Sequence, residues 1–286
     1  MPALWRGGAG AASPWGNAVS HFGLLDNADF PVLEPGSVWL VGAGPGGPGL
    51  LTLLAYHALG QADVIVHDAL VSEDILALAP AATERIFAGK RGGKPSPKQA
   101  DISLRLVELA REGRRVLRLK GGDPFMFGRG GEEAGALARA GIPFRIVPGI
   151  SSGLGGLAYA GIPITHRDTN HAVMFLTGHD ESGAVPGAID WPSVARAAPV
   201  LVMFMAVKHL PVICERLLAA GRQPDEHLTI VSHAATPQQR VLETTLAEAP
   251  TLAEVPTPAI VVLGAVGRYR QSLDWYVDAV RSHTFG

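Results

Sequence analysis

The 286-residue chain has one cysteine, Cys214. A single thiol excludes an intramolecular disulfide framework and a cysteine-rich zinc site, and it points to a reducing, intracellular compartment, read here as the cytoplasm. Charge is scarce as well: 17% of residues are charged, with a formal net charge of −2. That balance excludes a general basic coat for nucleic acid, although not a local basic patch. Long hydrophobic runs are missing. The longest, residues 197–207, spans eleven residues and contains Pro199, short of the roughly 20 needed to cross a bilayer as a helix. Residues 1–35 carry one base, Arg6, and no continuous apolar core, so they are expected to be a flexible leader and not a secretory signal.

What is abundant is glycine and proline, with Gly 35 and Pro 22. They lie between apolar runs, the pattern of a loop-rich α/β protein, and a 47% hydrophobic content is enough to bury a large core. Strands are expected at residues 37–41, 62–67, 85–88, 115–119 and 144–147. Helical spacing follows the first run, and helices are expected after Ser96-Pro97 and at 132–140. This β-α alternation implies a mainly parallel sheet with helices on its faces. Beyond it, strands are expected at 172–177, 200–205, 228–231, 241–245 and 259–263, with helices at 209–220 and 266–280. Too little chain separates 231 from 241 for a helix, so the second sheet should be mixed. The organisation expected is a leader (1–35), an N-terminal α/β domain (36–150), a glycine-rich hinge (151–170) and a C-terminal α/β domain (171–286).

Gly42-Ala-Gly-Pro-Gly-Gly47 matches G-x-G-x-x-G after a strand and before a helix, and Asp63 and Asp68 lie at the spacing of a ribose ligand. Alone, this reads as a dinucleotide site. Pro45 opposes it, because a pyrophosphate loop works through backbone N–H groups and proline has none. A second loop, Lys120-Gly-Gly-Asp-Pro-Phe-Met-Phe-Gly-Arg-Gly-Gly-Glu-Glu133, also follows a strand. Its glycines allow close backbone approach to a ligand, Asp123 can accept hydrogen bonds, and Phe125 and Phe127 offer flat apolar surface. A loop that tucks its aromatics into the core fits the composition equally well. His166, His171 and His179 share no ligand spacing, so no metal site is expected.

Five segments occur together in one order: Gly42-Ala-Gly-Pro-Gly, Gly89-Lys-Arg-Gly-Gly, Lys120-Gly-Gly-Asp-Pro-Phe, Pro148-Gly-Ile and Gly161-Ile-Pro-Ile-Thr-His-Arg167. In that order and spacing the chain resembles the tetrapyrrole methylases, from about residue 36 to about residue 268. The resemblance implies two α/β domains with the active-site cleft between them, S-adenosylmethionine (SAM) as methyl donor, no metal, and a homodimer. Within the family, Ala235-Thr-Pro-Gln-Gln239 points to methylation of uroporphyrinogen III at C2 and C7, through precorrin-1 to precorrin-2. Another methylase acting at a later corrin position is the alternative.

Carried over by motif, the SAM contacts would be Pro45, Gly121, Gly122, Asp123, Phe127, Ser151, Ser152, Met205 and Ala234. Asp68 would be the proton acceptor and Lys90 the proton donor. Uroporphyrinogen carries eight carboxylates, which Arg91, Lys94, Arg129 and Arg167 would meet. Arg111, Arg114 and Arg115 instead read as an exposed helix end and turn. One departure stands out. Relatives usually have Gly-Pro-Gly-Asp where this chain has Gly44-Pro-Gly-Gly47, which removes a carboxylate from the mouth of the site and raises the alternative of a catalytically weak tetrapyrrole-binding relative.

Overall fold

A computed structural model describes residues 29–89, 99–180 and 182–277. The chain divides into residues 1–32 and a compact unit from Leu33 onward, and every element below belongs to the second unit. The Ser96-Pro97 helix start lies outside the described residues.

The first sheet is wholly parallel, with strands β1 (Val38–Gly42), β2 (Val64–His67), β3 (Glu84–Phe87), β4 (Val116–Lys120) and β5 (Phe144–Val147) in the order β3-β2-β4-β1-β5. Register is direct: Val38 faces Val116 on one side and Phe144 on the other. Because both faces are covered, β1 and β4 are buried along their whole length, which explains their continuous apolar runs. Helices α1 (Leu53–Leu59) and α2 (Glu73–Leu76) supply Ala55, Ala58, Leu59, Ile75 and Leu76 to one face. Helices α3 (Gln99–Arg111) and α4 (Gly130–Arg139) supply Leu106, Leu109, Ala134 and Leu137 to the other.

The second sheet orders β6 (Val173–Thr177), β7 (Val200–Phe204), β8 (His227–Ser232), β9 (Arg240–Thr245) and β10 (Ala259–Leu263) as β6-β7-β10-β8-β9. Only β6 and β7 are parallel; the remaining pairs are antiparallel, so the sheet is mixed, as the short 231–241 spacing requires. Helices α6 (Trp191–Ala197) and α7 (Leu210–Ala219) pack on one face through Trp191, Val194, Leu210, Ile213 and Leu217.

Residues 151–170 differ from the hinge expected of them. A π-helical turn, Ser152–Gly156, runs into α5 (Leu157–Tyr159), and Leu157, Ala160 and Ile162 enter the core on the other face of the second sheet. The glycines here serve packing. A Cβ on Gly153 would lie 2.6 Å from the Phe204 ring, and one on Gly156 would lie 2.8 Å from the Ala234 methyl. The helix expected at 266–280 is also shorter: a 3-10 turn, Ala265–Tyr269, leads into α8 (Arg270–Leu273). Trp275 and Tyr276 then pack edge-to-face on Tyr159, their ring centroids 5.0 and 4.8 Å from it.

Cys214 is fully buried on α7, and burial pushes its thiol up to about 11. The neutral thiol is therefore the stable form, and the stability this contributes is present below an ordinary thiol pKa of about 8.5 and lost as pH rises toward 11. At pH 8 the folded protein should not react with an aromatic disulfide reagent, whereas the denatured chain should react at once. Rapid labelling of the folded protein would contradict this burial.

Candidate active site

All five strands of the first sheet end at one edge, where an open parallel sheet binds ligands. There the loops after β1, β4 and β5 meet backbone to backbone. The Gly44 N–H donates to the Gly122 carbonyl at 3.2 Å and the Gly122 N–H to the Gly44 carbonyl at 2.8 Å. A Cβ on Gly149 would lie 2.2 Å from the Gly122 carbonyl oxygen and 2.7 Å from the Gly42 Cα, so only glycine permits this approach. Asp123 completes the junction. Its Oδ1 accepts from the Phe125 N–H at 2.8 Å and its Oδ2 from the Gly149 N–H at 3.0 Å.

Asp68 follows β2 at the same edge and is half-buried. Its Oδ1 accepts from the Leu70 N–H at 2.9 Å, and its Oδ2 accepts from the Gly121 N–H at 3.2 Å. An ionised carboxylate has about four lone-pair sites. Two hold the loop, and the others remain to accept a proton.

The second sheet contributes the opposite wall. Among the described residues, five non-glycine residues have positive φ: Phe127, Arg129, Met205, His233 and Ala235. Phe127 and Arg129 follow β4, Met205 follows β7, and His233 and Ala235 follow β8. Such strain gathers where a ligand is held. The two walls touch at several points. A Cβ on Gly46 would lie 2.2 Å from the Ala235 carbonyl oxygen, the Pro45 ring is near Gly155, and the Phe127 and Phe204 rings are 5.0 Å apart. Between them the surface is apolar and open: Leu70 is 59% exposed, Phe125 57%, Met205 43% and Phe127 38%. Ser151 caps the π turn, its Oγ accepting from the Gly153 N–H at 3.3 Å, and Gly122 approaches the Ser152 backbone.

Of the residues singled out from sequence, Pro45, Gly121, Gly122, Asp123, Phe127, Ser151, Ser152, Met205 and Ala234 thus lie in loops of this cleft, with Asp68 at its edge. Lys90, Arg91 and Lys94 lie outside the described residues. Arg129 is exposed and forms a bidentate pair with Glu132. Arg167 belongs to a loop whose His166 and Thr169 bond Tyr269, His166 Nδ1 at 2.9 Å and Thr169 Oγ1 at 2.7 Å. Tyr269 lies beyond β10, toward the edge where β6 and β7 begin and away from Met205.

The dinucleotide reading of the first loop fails on three counts. The Ala43 N–H donates to the Lys120 carbonyl and the Gly44 N–H to Gly122, so these amides are already used. Asp63 lies before β2 at the opposite end of the strand, where it pairs with Arg115 at 2.6 Å. Finally, β4 lies between β1 and β2, which is not the dinucleotide-binding strand order. Among the described residues no group of three His, Cys, Asp or Glu could hold a metal, and no helix is long and apolar enough to cross a membrane.

Residues 37–250 match the family of Tetrapyrrole (Corrin/Porphyrin) Methylases. The chain belongs to the tetrapyrrole methylase family. It is 66% identical to a uroporphyrinogen-III C-methyltransferase of Sinorhizobium sp over 251 residues, 87% of this chain and 90% of that protein. It is 49% identical to a siroheme synthase of Neisseria meningitidis serogroup B over 85% of this chain, but spans about half the length of that protein. Among solved structures, a uroporphyrin-III C-methyl transferase from Thermus thermophilus complexed with S-adenyl homocysteine is 44% identical. That match has a TM-score of 0.72 and covers 81% of this chain and 99% of the other.

Other parts of this tetrapyrrole methylase's cleft carried no separate signal in the sequence. Phe204 packs between Gly153 and Phe127 but reads as an ordinary strand residue. His233 adopts positive φ after β8, and its N–H donates to the Pro258 carbonyl at 2.8 Å. Gln239 is buried; its Oε1 accepts from the Ala235 N–H at 2.8 Å and its Nε2 donates to the Tyr159 carbonyl at 3.1 Å. Gln239 closes the Ala235–Gln239 motif, which together with Ala234 marked that loop in the sequence, whereas His233 carried no mark.

Proposed function

We propose that this tetrapyrrole methylase transfers methyl groups from SAM to C2 and C7 of uroporphyrinogen III, giving precorrin-2 by way of precorrin-1. The observation that carries the reading is the 66% identity to the Sinorhizobium enzyme over 90% of that protein's length. The cleft fits the donor chemically, with glycine backbone open at Gly122 and exposed apolar surface at Phe127 and Met205. Working as a cytoplasmic homodimer and a domain division near residues 150–170 belong to the same reading.

When bound, SAM supplies a methyl group already activated on a sulfonium, so the protein needs to align and protect. The knitted glycine loops fix one wall and the strained residues after β7 and β8 fix the other, which is catalysis mainly by positioning. As a pyrrole carbon forms its bond to the methyl, the sulfur–methyl bond breaks and positive charge passes to the tetrapyrrole. Asp68, held by two amides, takes the proton whose loss restores neutrality. The basic residues Lys90, Arg91, Lys94, Arg129 and Arg167 are assigned to the donor step and the substrate carboxylates.

Ligand choice tests the donor. SAM and S-adenosylhomocysteine at about 100 times Kd should stabilise the fold by about 2.7 kcal/mol, a rise of a few degrees in Tm. NAD should produce no rise. A shift with NAD and none with SAM would contradict the reading.

Gly47 supplies a second expectation. Its backbone is extended, φ −81° and ψ 177°, at the N-cap of a 3-10 turn (Pro48–Leu50) that has no side-chain cap. With φ not positive, a side chain there meets no backbone strain, and Asp is a favoured N-cap residue. Gly47→Asp should therefore fold, and should raise methyl transfer by about three- to tenfold by stabilising developing positive charge, with SAM binding nearly unchanged. A variant that folds equally well but turns over no faster would show that the chain has compensated for the missing carboxylate.

A further inference from the structure

Beneath the Asp68 loop lies a buried ionic cluster that the reaction as described does not use. Arg118 and Lys120 are two apart on β4 and so point to the same face of the sheet. Both reach one oxygen of Glu133 on α4: Arg118 Nε donates to Oε1 at 3.1 Å and Lys120 Nζ at 3.2 Å. Gln99, the first residue of α3, donates to the same oxygen at 2.9 Å, while Oε2 has no partner among the described residues. The three ionic side chains are 3%, 4% and 0% exposed.

This cluster holds two cations and one carboxylate. Buried charge is costly unless it is compensated, so the second cation needs another negative group. Arg118 donates from Nε to Glu133 and from Nη1 to the Val66 carbonyl at 3.2 Å. The other carboxylate that favours the charged form of Lys120 is Asp68. The backbone makes the same connection, since Gly121, the next residue after Lys120, donates its N–H to Asp68.

We propose that Lys120 is a positioning residue for methyl transfer: its buried ammonium, braced by Glu133, is the fixed charge against which the Asp68 carboxylate is set. This rests on Asp68 acting as the proton acceptor. The fold is not expected to require Lys120. Replacing it with methionine leaves Arg118 and Glu133 as a balanced pair still bonded by Gln99, and exchanging a buried ion for an apolar side chain of similar volume is often neutral or stabilising.

The charge state of Lys120 gives a readout that packing alone would not produce. Burial and the adjacent Arg118 push its pKa below the ordinary lysine value, while Glu133 and Asp68 oppose that shift. Among the described residues these are the charged groups facing it from β4, α4 and the end of β2; Gln99, from α3, is neutral. Since the charged form positions Asp68, kcat should fall as pH rises through this lowered pKa.

The experiment compares kcat, KM for SAM and the Tm shift with S-adenosylhomocysteine across pH, in the full chain and in Lys120→Met. The variant is expected to fold, to keep KM for SAM and the ligand-induced shift, to lose about ten- to a hundredfold in kcat, and to lack the alkaline limb. An unchanged kcat, or an alkaline limb that persists in the variant, would overturn the proposal. If Lys120→Met does not fold, Glu133→Gln decides instead: it weakens the support for the charged lysine, so the limb should move to lower pH, and an unmoved limb overturns the proposal. A parent chain that transfers no methyl group to uroporphyrinogen III overturns the functional reading and this role together. Transfer by the parent with an unmoved limb overturns only the role of Lys120.

Discussion

Asp68→Asn should lower kcat for methyl transfer by about a hundred- to ten-thousandfold, the range over which a positioned general base contributes. The geometry makes this substitution demanding in a useful way. Both carboxylate oxygens of Asp68 accept backbone N–H groups, one from Leu70 and one from Gly121. An amide has one acceptor oxygen, so its NH2 group must oppose one of those donors. The loop should therefore loosen as well as lose its base, at a cost of about 1.5–3 kcal/mol for one hydrogen bond to a charged group. The two effects separate by measuring binding of S-adenosylhomocysteine, because a loosened Gly121 loop, which carries proposed contacts and bonds Asp68, weakens binding, whereas loss of the base alone does not. Retained binding with a large loss of kcat supports the assignment. A variant that turns over at the parent rate would remove Asp68 from the chemistry.

The second large effect is expected at Gly149. Its missing Cβ is what lets the loops after β1, β4 and β5 touch, and an added methyl would lie 2.2 Å from the Gly122 carbonyl oxygen and 2.7 Å from the Gly42 Cα. Both obstacles are backbone and cannot rotate aside. Gly149→Ala should destabilise the fold by about 1–3 kcal/mol, the usual cost of overpacking, and weaken S-adenosylhomocysteine binding by more than about tenfold because the loops that form the cleft are driven apart. Gly131→Ala is the matched control. A Cβ there meets nothing within 4 Å on α4, so it should stabilise by about 0.4–1 kcal/mol and leave binding intact. Equal behaviour of the two variants would mean that the close approach at Gly149 has no bearing on the site.

These expectations draw unequally on what the sequence discloses. The strands were legible because β-branched and apolar runs stop at glycine or proline; β5 and β10 begin and end where the residues indicate. The mixed character of the second sheet followed from chain length alone. What misled was glycine read only as flexibility. Gly153 and Gly156 were expected in a hinge, yet a ring and a methyl occupy the space where their side chains would be. Asp63 misled through sequence distance: its spacing from the first glycine loop suits a ribose ligand, but it lies before β2 and pairs with Arg115. The helix expected at 266–280 stops at Leu273 because Trp275 and Tyr276 find Tyr159, a partner far away in sequence.

In the site itself, the motifs marked the loops but not the way they are held. The strained backbones of Phe127, Met205, His233 and Ala235 are set in the folded loops, and no local pattern records them. Nor did the sequence show that Lys120 and Glu133, thirteen residues apart, share a buried bond.

The most direct test is the mass of the tetrapyrrole after anaerobic incubation of the purified chain with SAM and uroporphyrinogen III. The account expects a product two methyl groups heavier than the substrate, formed through a species one methyl group heavier, with S-adenosylhomocysteine released at each step. Unaltered uroporphyrinogen III, from a protein that is folded and still binds SAM, would contradict it.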